Sequence, residues 1–321
     1  MSLIESPATA RERSRALVSI AASPLRYPGG KSSMLDLTSA ILRLNGLDRS
    51  HYAEPYAGGC GLALSLLYGG HVADIHINDI DPSIWAFWYC VLHETDALVT
   101  LIEKTPITIK EWLKQRDIHR RQDSSNWLAL GFSAFFLNRT NRSGIIKAAG
   151  VIGGLSQGGN YKIDCRFNRE ELAQRIMRVR KYRDRIHLSN VDGLRFLNRC
   201  EKRLPKDSLL FIDPPYYRKG SSLYTNFYMP KDHAELAHRV TESDRNWIVT
   251  YDDAPEIRKL YRSRRQYCFD INYSLHEKRV GTELLIASKG LKIPGMAKSR
   301  QVNRPQHAGR WPRSQRGILS S

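Results

Sequence analysis

Residues 51–70, HYAEPYAGGCGLALSLLYGG, predict a strand that enters a glycine-rich turn and continues into an apolar helix. Residues 72–81, VADIHINDID, predict a second strand that ends in acidic residues. Further along the chain, similar apolar runs end in Gly, Pro or Asp or precede helix-like segments; they lie at 208–217, 245–261 and 282–288. This alternation of strands and helices is typical of an α/β fold.

The composition fits a folded protein without membrane spans. The chain has 321 residues, of which 41% are hydrophobic and 26% charged, so a mainly disordered chain is excluded and a sizeable core is expected. The longest strongly apolar run, 84–92, is far shorter than the roughly 20 residues of a membrane helix. The N-terminus has no signal pattern, and the five cysteines form no C-x-x-C pair. We therefore expect a cytoplasmic protein with no disulfide framework, no membrane contact and no metal site.

The net charge of +18 is concentrated in two segments. Residues 105–190 contain 17 basic and 7 acidic side chains, and residues 291–321 contain 7 basic side chains and no acid. Such a surplus favours a polyanionic partner such as nucleic acid, because each neutralised phosphate releases counterions. The alternative is a solubilising surface with an unstructured basic tail.

Changes in composition and periodicity along the chain predict an N-terminal arm, a catalytic domain in two segments, an inserted domain and a C-terminal tail. Residues 1–22 are small and polar and indicate a flexible arm, whereas 23–104 and 191–290 contain the strand-and-helix pattern. Residues 105–190, with the Gly-rich passage 143–162, indicate an inserted domain. Residues 291–321 lack periodicity, and we expect a basic disordered tail there.

The glycine turn at 53–61, AEPYAGGCG, is the first candidate ligand site. Such a turn lets backbone approach a ligand closely, and Asp79 follows Gly59 by 20 residues, the offset at which an acid grips ribose hydroxyls. The spacing departs from G-x-G-x-x-G, which disfavours a dinucleotide and suits a nucleoside cofactor without pyrophosphate, such as S-adenosylmethionine. An ordinary tight turn is the alternative.

A second glycine turn, RYPGGKSS at 26–33, resembles a phosphate-binding loop only in part. That motif needs glycine at position 25, where this chain has Leu25. The sequence therefore disfavours a nucleotide-hydrolysing enzyme. Tyr27 and Lys31 are instead candidates for holding the carboxylate end of an amino-acid-like ligand. A solvated helix start is the alternative.

The third candidate site is Asp213-Pro214-Pro215-Tyr216, which follows the apolar run LLFI at 209–212. The prolines hold the chain extended, so the Asp213 carboxylate and an adjacent carbonyl form two acceptors that suit an amino group. Hydrogen bonds to both amino protons would draw the exocyclic nitrogen of adenine toward a tetrahedral geometry and free its lone pair for methylation. Tyr216 would offer a stacking face for an extruded base. A rigid turn after a strand is the alternative.

Taken in order, RYPGGK, AEPYAGGCG, INDID, FLNRTNRSG and FIDPPYY resemble the motifs of the Dam-type, or alpha-group, DNA N6-adenine methyltransferases, from about residue 24 to residue 289. The resemblance implies a Rossmann-like S-adenosylmethionine-dependent fold of seven strands with an inserted, partly helical target-recognition domain at 105–190. It implies a cofactor site that includes Asp79 at the ribose; the candidate cofactor-binding residues are Tyr27, Lys31, Glu54, Tyr56, Gly58, Gly59, Asp79, Asp192 and Asp213. Asp213, with Pro214, Pro215 and Tyr216, is the implied catalytic motif.

This sequence departs from the family pattern at three positions. Tyr56 stands where the family usually has Phe, and Cys60 stands where it usually has Gly. Gly193, after Asp192, replaces a Phe, so the resemblance does not supply an adenine-packing contact there.

The function implied is site-specific methylation of adenine N6 in double-stranded DNA, with base flipping. We expect five residues of the insertion to contact DNA: Arg139, Arg142, Lys147, Gln157 and Asn160. Methylation of cytosine N4 or RNA adenine, or a non-catalytic DNA-binding role, are the alternatives. We expect a monomer, and the resemblance leaves room for a cognate restriction endonuclease.

Overall fold

An eight-stranded sheet forms the centre of the computed structural model, which describes residues 22–26, 34–147, 149–218, 228–273, 279–295 and 299–301. In chain order, the helices and strands are α1 Leu35–Leu44, β1 Ser50–Glu54, α2 Gly61–Tyr68, β2 Val72–Asn78, α3 Pro82–His93, α4 Thr95–Lys104, α5 Ile109–Arg121, α6 Trp127–Thr140, α7 Arg169–Arg180, β3 Ile186–Ser189, α8 Gly193–Arg203, β4 Leu209–Ile212, α9 Pro230–Thr241, β5 Asn246–Asp252, α10 Pro255–Leu260, β6 Arg265–Tyr273, β7 Arg279–Ala287 and β8 Ser299–Gln301.

The sheet has the strand order β3-β2-β1-β4-β5-β7-β6-β8. Strands β1 to β5 pair in parallel, whereas β7 runs antiparallel to both β5 and β6. The chain moves outward from β1 through β2 to β3 and then crosses to the other side of β1 at β4. This reversal creates a crevice at the carboxyl ends of β1 and β4, which is where open α/β sheets bind their ligands.

Two hydrophobic clusters cover the two faces of the sheet. One joins β1 and β2 to α1 through α7, with Phe87, Trp88 and Phe135 fully buried, and the other joins β4 and β5 to α8, α9 and α10. Each buried large apolar side chain contributes about 1.5–3 kcal/mol, so these clusters fix the helices on the sheet. The predicted α/β fold is confirmed, and β8 adds a short eighth strand to the seven that the family resemblance implies.

Side-chain caps set where several helices begin. Asp81 accepts a hydrogen bond from the backbone N–H of Ser83 at 2.9 Å, and Pro82 takes the first position of α3, where a missing N–H costs nothing. Thr108, Asn126 and Asn168 cap α5, α6 and α7 in the same way. Helix α3, which follows the acidic end of β2, is therefore held in a defined direction.

The predicted inserted domain differs from the structure in its boundaries. Helices α5, α6 and α7 share one hydrophobic cluster with β1 and β2, because Trp112, Phe135 and Ile176 pack into it. Residues 186–189 form β3 and pair with β2. The part of 105–190 that lies outside the regular helices and strands is therefore the segment 141–168 between α6 and α7, which includes a short 3₁₀ helix at Arg142–Gly144.

The predicted disordered tail begins too early. Leu291 is buried, and the backbone of Lys292 exchanges two hydrogen bonds with the side chain of Asn45, at 2.7 and 2.8 Å. Residues 299–301 form β8 against β6. Apolar burial thus extends to Leu291 and strand pairing reaches residue 301, while 302–321 and most of the predicted arm, 1–21, lie outside the described residues.

Candidate active site

The glycine turn after β1 binds the acid after β2. The backbone N–H of Gly58 donates to Asp79 Oδ2 at 2.9 Å, and the backbone N–H of Asp81 donates to Asp79 Oδ1 at 3.0 Å. Burial raises the pKa of Asp79 to about 7. The turn and the acid that the sequence predicted as one site are therefore in direct contact.

The backbone of the turn explains its composition. Gly58 has a φ of 46° and Cys60 a φ of 53°, both in the left-handed region that favours glycine. The carbonyl of Gly58 accepts a hydrogen bond from Trp88 Nε1 at 2.9 Å, which ties the turn to α3. Cys60 thus occupies a strained position, a physical reason for the glycine that the resembling family has there.

Asn78, which the sequence analysis did not single out, joins the ends of three strands. Its fully buried side chain donates to the carbonyls of Pro55 at 3.0 Å and Val191 at 2.9 Å, and it accepts from the N–H of Val191 at 3.0 Å. The sequence signal is the polar residue that ends the strand of the INDID motif. Through its bonds to Val191, Asn78 positions Asp192, which follows Val191 in the chain. Asp192 Oδ1 accepts hydrogen bonds from the N–H groups of Leu194 and Arg195 and caps α8.

Asp213 lies on the other side of β1. The register pairs Ile212 with Val249, so the residues that follow, Asp213 and Thr250, lie side by side. The hydroxyl of Thr250 donates to Asp213 Oδ1 at 2.6 Å and orients the carboxylate. Thr250 is a second residue that the motif analysis missed, since a threonine within an apolar strand carries no distinctive signal.

Glu54, at the end of β1, lies between the two aspartates along the sheet order. It is buried, and Oε1 accepts a hydrogen bond from the hydroxyl of Tyr52 at 2.8 Å. Burial, together with the negative charge of Asp213, raises the pKa of Glu54 to about 8. At neutral pH Glu54 is therefore mainly protonated, so it adds little negative charge to the carboxylate of Asp213.

The residues after the two prolines are held by β5 and β7. The carboxylate of Asp252 accepts the backbone N–H groups of Tyr217 at 2.8 Å and Arg218 at 3.0 Å. Tyr216 is only 8% exposed, and its hydroxyl donates to Glu283 Oε1 at 3.0 Å. The stacking role of Tyr216 stays a prediction. In this conformation β7 supplies a buried acceptor for its hydroxyl, which the motif does not reveal.

Tyr56 extends over the start of α8. Its hydroxyl lies 2.7 Å from the hydroxyl of Tyr228, and the two rings meet edge to face at 5.9 Å. A Cβ placed on Gly193 would lie 2.6 Å from the Tyr56 hydroxyl. The two departures from the family pattern therefore fit one another, since Gly193 leaves the space that the Tyr56 hydroxyl needs.

The five candidate DNA contacts divide into two groups. Arg142, Lys147 and Asn160 are exposed. Gln157 instead binds its own loop, with its amide group donating to the carbonyls of Ile152 and Gly154 and accepting the N–H of Ile163. This use of every polar atom argues against the predicted base contact by Gln157.

Arg139 is largely buried. It is 8% exposed, and its Nε donates to the carbonyl of Arg166 at 2.8 Å. The last turn of α6 points this side chain inward, which disfavours a contact with base edges and leaves a phosphate contact as the prediction for Arg139.

Two predicted cofactor contacts, Tyr27 and Lys31, lie outside the described residues. Within the described ranges, no group of three or more His, Cys, Asp or Glu side chains is arranged to hold a metal ion. In the same part of the chain, no helix has the length and apolar character needed to cross a membrane.

The sheet order, the switch point at β1 and β4 and the acids that follow β2 and β4 define a Rossmann-like α/β enzyme of the methyltransferase class. A family model for D12 class N6 adenine-specific DNA methyltransferases matches residues 27–280, and the chain belongs to this family. The protein is thus an adenine-specific DNA methyltransferase, and the predicted family and enzyme class are confirmed.

No curated protein matches the chain. Among solved structures, a Pyrococcus horikoshii protein described as a proposed RNA methyltransferase is 11% identical, has a TM-score of 0.38, and covers 88% of this chain and 98% of its own. A conserved hypothetical protein of Streptococcus pyogenes is 11% identical and has a TM-score of 0.31; the match covers 79% of this chain and 96% of the Streptococcus chain. A Legionella pneumophila protein is 12% identical and has a TM-score of 0.30; the match covers 81% of this chain and 85% of the Legionella chain.

Proposed function

We propose that this enzyme transfers the methyl group of S-adenosylmethionine to the N6 amino group of an adenine that is turned out of double-stranded DNA. The observation that carries the proposal is the placement of Asp213: it follows β4 at the switch point, is oriented by the hydroxyl of Thr250 and precedes two prolines. A carboxylate held in this way, with an extended backbone behind it, suits an amino group better than a phosphate.

The residues around Asp79 fit the proposed cofactor. Each Asp79 oxygen accepts one backbone N–H, and a carboxylate oxygen has capacity for a second hydrogen bond, here from the ribose hydroxyls. The turn at Gly58 and Gly59 presents backbone without side chains. S-adenosylmethionine would supply a methyl group activated by its bond to a positively charged sulfur.

The chain's own residues position the acceptor. Asp213 and the carbonyl of Pro214 accept hydrogen bonds from the two amino protons of adenine, which concentrates the nitrogen lone pair toward the methyl group. When the N–C bond forms and the S–C bond breaks, the nitrogen loses one proton, and the Asp213 carboxylate is positioned to accept it and release it to water. Because burial raises the pKa of Glu54 to about 8, Glu54 adds little negative charge beside the Asp213 carboxylate at pH 7.

The exposed basic side chains of the 141–168 segment support a duplex substrate. Lys147 Nζ lies 3.8 Å from Asp81 Oδ2, two residues beyond Asp79, so this segment reaches the carboxyl edge of the sheet. Arg142 is exposed in the same segment. A phosphate backbone bound there would lie beside the proposed adenine site.

The proposed function is tested by incubating the full chain with methyl-labelled S-adenosylmethionine and, separately, duplex DNA, single-stranded DNA and RNA, followed by mass spectrometry of the nucleosides. We expect labelled N6-methyladenine, with duplex DNA the preferred substrate. The Asp213→Ala chain, prepared identically, controls for a contaminating methyltransferase. Labelled N4-methylcytosine, or a product from RNA alone, would contradict the proposal.

A further inference from the structure

Four arginines lie where residues 23–26 meet α6 and α7. We call Arg26, Arg139, Arg166 and Arg175 the arginine cluster. Arg139 Nε donates to the carbonyl of Arg166 at 2.8 Å, and Arg175 Nη1 donates to the carbonyl of Ser23 at 3.0 Å. Arg26 is half-buried, while Arg166 is exposed at the outer side. The cluster therefore runs from the surface into a buried end at Arg139.

The charges of the arginine cluster are poorly balanced. Within the described residues, Glu171 pairs with Arg175 and is the acid whose charge acts on Arg139. Burial, with the positive charges of Arg26, Arg175 and Arg166, lowers the pKa of Arg139 to about 9. Since this pKa is well above neutral pH, Arg139 stays charged, and four positive charges face one negative charge.

Two nitrogen atoms of the cluster also lack hydrogen-bond partners. Arg26 Nη1 and Arg175 Nε are buried and unpaired in the described part of the chain. Buried polar atoms are nearly always paired, so each such exception needs an explanation. A bound anion would pair these donors and also offset the repulsion between the guanidinium groups. A neutral acceptor would pair the donors without offsetting the charge, and a cation would do neither.

The planar donor forks of guanidinium groups match the oxygens of a phosphate. We infer that the arginine cluster binds a phosphate group, and that during catalysis this group is a backbone phosphate of the DNA. The assignment to DNA rests on the proposed function, whereas the anion site itself does not.

The connection to the 141–168 segment favours DNA as the source. Asn138 Nδ2 donates to the carbonyl of Arg26 at 2.6 Å and to that of Gly144 at 2.8 Å, so the cluster and the 3₁₀ helix are fixed to one another. A Cβ on Gly144 would lie 2.4 Å from the carbonyl oxygen of Arg26, which shows how closely the two segments approach. Exposed Arg142 and Lys147 then continue the basic surface toward Asp81.

The test uses Arg26→Gln and Arg166→Gln in the full chain. Both substitutions should preserve the fold, because Asn138 contacts the backbone of Arg26 and Arg139 contacts the backbone of Arg166. Arg199→Gln is the matched control: it removes the same charge from an exposed position of α8, which covers the other face of the sheet.

The first measurement is the melting temperature in sodium phosphate and in sodium chloride of equal ionic strength. At phosphate about ten times its dissociation constant, we expect wild type and Arg199→Gln to melt about 2–4 °C higher than in chloride. The rise should fall by at least half in Arg26→Gln and Arg166→Gln. Equal rises in all four proteins would overturn the anion site.

The second measurement is duplex affinity as a function of salt concentration, which needs no methyl transfer. Arg26→Gln and Arg166→Gln should each lower the slope of log K against log salt by about one, and Arg199→Gln should leave it unchanged. If phosphate stabilisation depends on the cluster but the slope does not change, the cluster binds free phosphate and the assignment to DNA is overturned. If neither measurement depends on the cluster but the wild-type chain methylates duplex DNA, the proposed function stands and the anion site is overturned.

Discussion

The ends of β2 and β4 flank β1 and each carries an aspartate, yet the two carboxylates are held differently. Asp79 accepts backbone N–H groups on both oxygens, and burial raises its pKa to about 7. Asp213 is oriented by the hydroxyl of a neighbouring strand. A carboxylate built into a turn suits a ligand group that takes no part in bond making, such as a ribose, whereas one oriented by a side chain beside the crevice suits a group whose bonds change during the reaction.

The largest expected effect is at Asp213. The Asp213→Ala substitution should lower methyl transfer by about 100-fold or more, because the amino-group acceptor and proton acceptor are both lost. Cofactor affinity should stay within a few-fold. Initial rates and calorimetry measure the two quantities, with Asp74→Ala, on β2 but bonded to His187, as the matched acid control. Activity above about a tenth of wild type would remove the proposed role of Asp213.

Asp79→Ala should instead weaken S-adenosylmethionine binding by about one to two decades, or about 1–3 kcal/mol, because the ribose loses a half-buried acceptor. Calorimetric titration measures this directly, again beside Asp74→Ala. Unchanged affinity would mean that Asp79 serves only to hold Gly58 and has no role in cofactor binding.

The pH dependence of cofactor binding is a further test of the role of Asp79. Its pKa in the folded protein, about 7, lies above the usual 3.8, so the folded state binds more protons across this window and stability falls as the pH rises through it. Cofactor affinity should change in the opposite direction and weaken about tenfold from pH 8 to pH 6, as the acceptor becomes protonated. Binding to the Asp79→Asn chain should lack this dependence, and an identical pH profile in that chain would assign the titration to another group.

Thr250→Val should lower the rate of methyl transfer about fivefold, corresponding to about 1 kcal/mol, because one orienting hydrogen bond to Asp213 is lost while side-chain volume is kept. Cofactor affinity should not change. Thr241→Val, which removes a hydroxyl bonded within α9, is the control. A loss of cofactor affinity equal to the loss of rate would contradict a role confined to the substrate side.

The parts of the site that were predictable are those in which local backbone rules leave few choices. The glycine turn before α2, the acid after β2 and the Asp-Pro-Pro turn after β4 all lie where the residue types indicated. The roles of Asn78, Thr250 and Glu283 depend on strands that pair only in the folded sheet, and an asparagine, a threonine or a glutamate in an apolar run does not reveal its neighbours.

The 141–168 segment shows the opposite case. Its composition indicated a basic, Gly-rich loop, but the direction of each side chain was not predictable. Gln157 adopts a φ of 53° and turns inward. Its side-chain amide there hydrogen-bonds backbone groups of the loop, which lie outside the regular helices and strands. Loop polarity alone cannot distinguish a side chain that binds a ligand from one that satisfies the loop's own carbonyls.

The smallest effect on catalysis is expected at Gln157. The Gln157→Ala substitution should lower the free energy of unfolding by about 1–3 kcal/mol, because two carbonyls and one N–H lose their partner, and the methylated DNA sequence should stay the same. Asn160→Ala, exposed in the same segment, should leave stability unchanged. Thermal melts and sequencing of methylated random duplexes decide the point; a changed motif with unchanged stability would restore the base-contact prediction.

We propose that Asp79 holds the cofactor and that Asp213 acts on the adenine. Methyl transfer measured at saturating S-adenosylmethionine tests it most directly, with Asp79→Ala and Asp213→Ala side by side. We expect saturation to restore the Asp79→Ala rate to within a few-fold of wild type, while the Asp213→Ala rate stays about 100-fold or more below it. Recovery of both variants, or of neither, would contradict the division of roles between the two carboxylates.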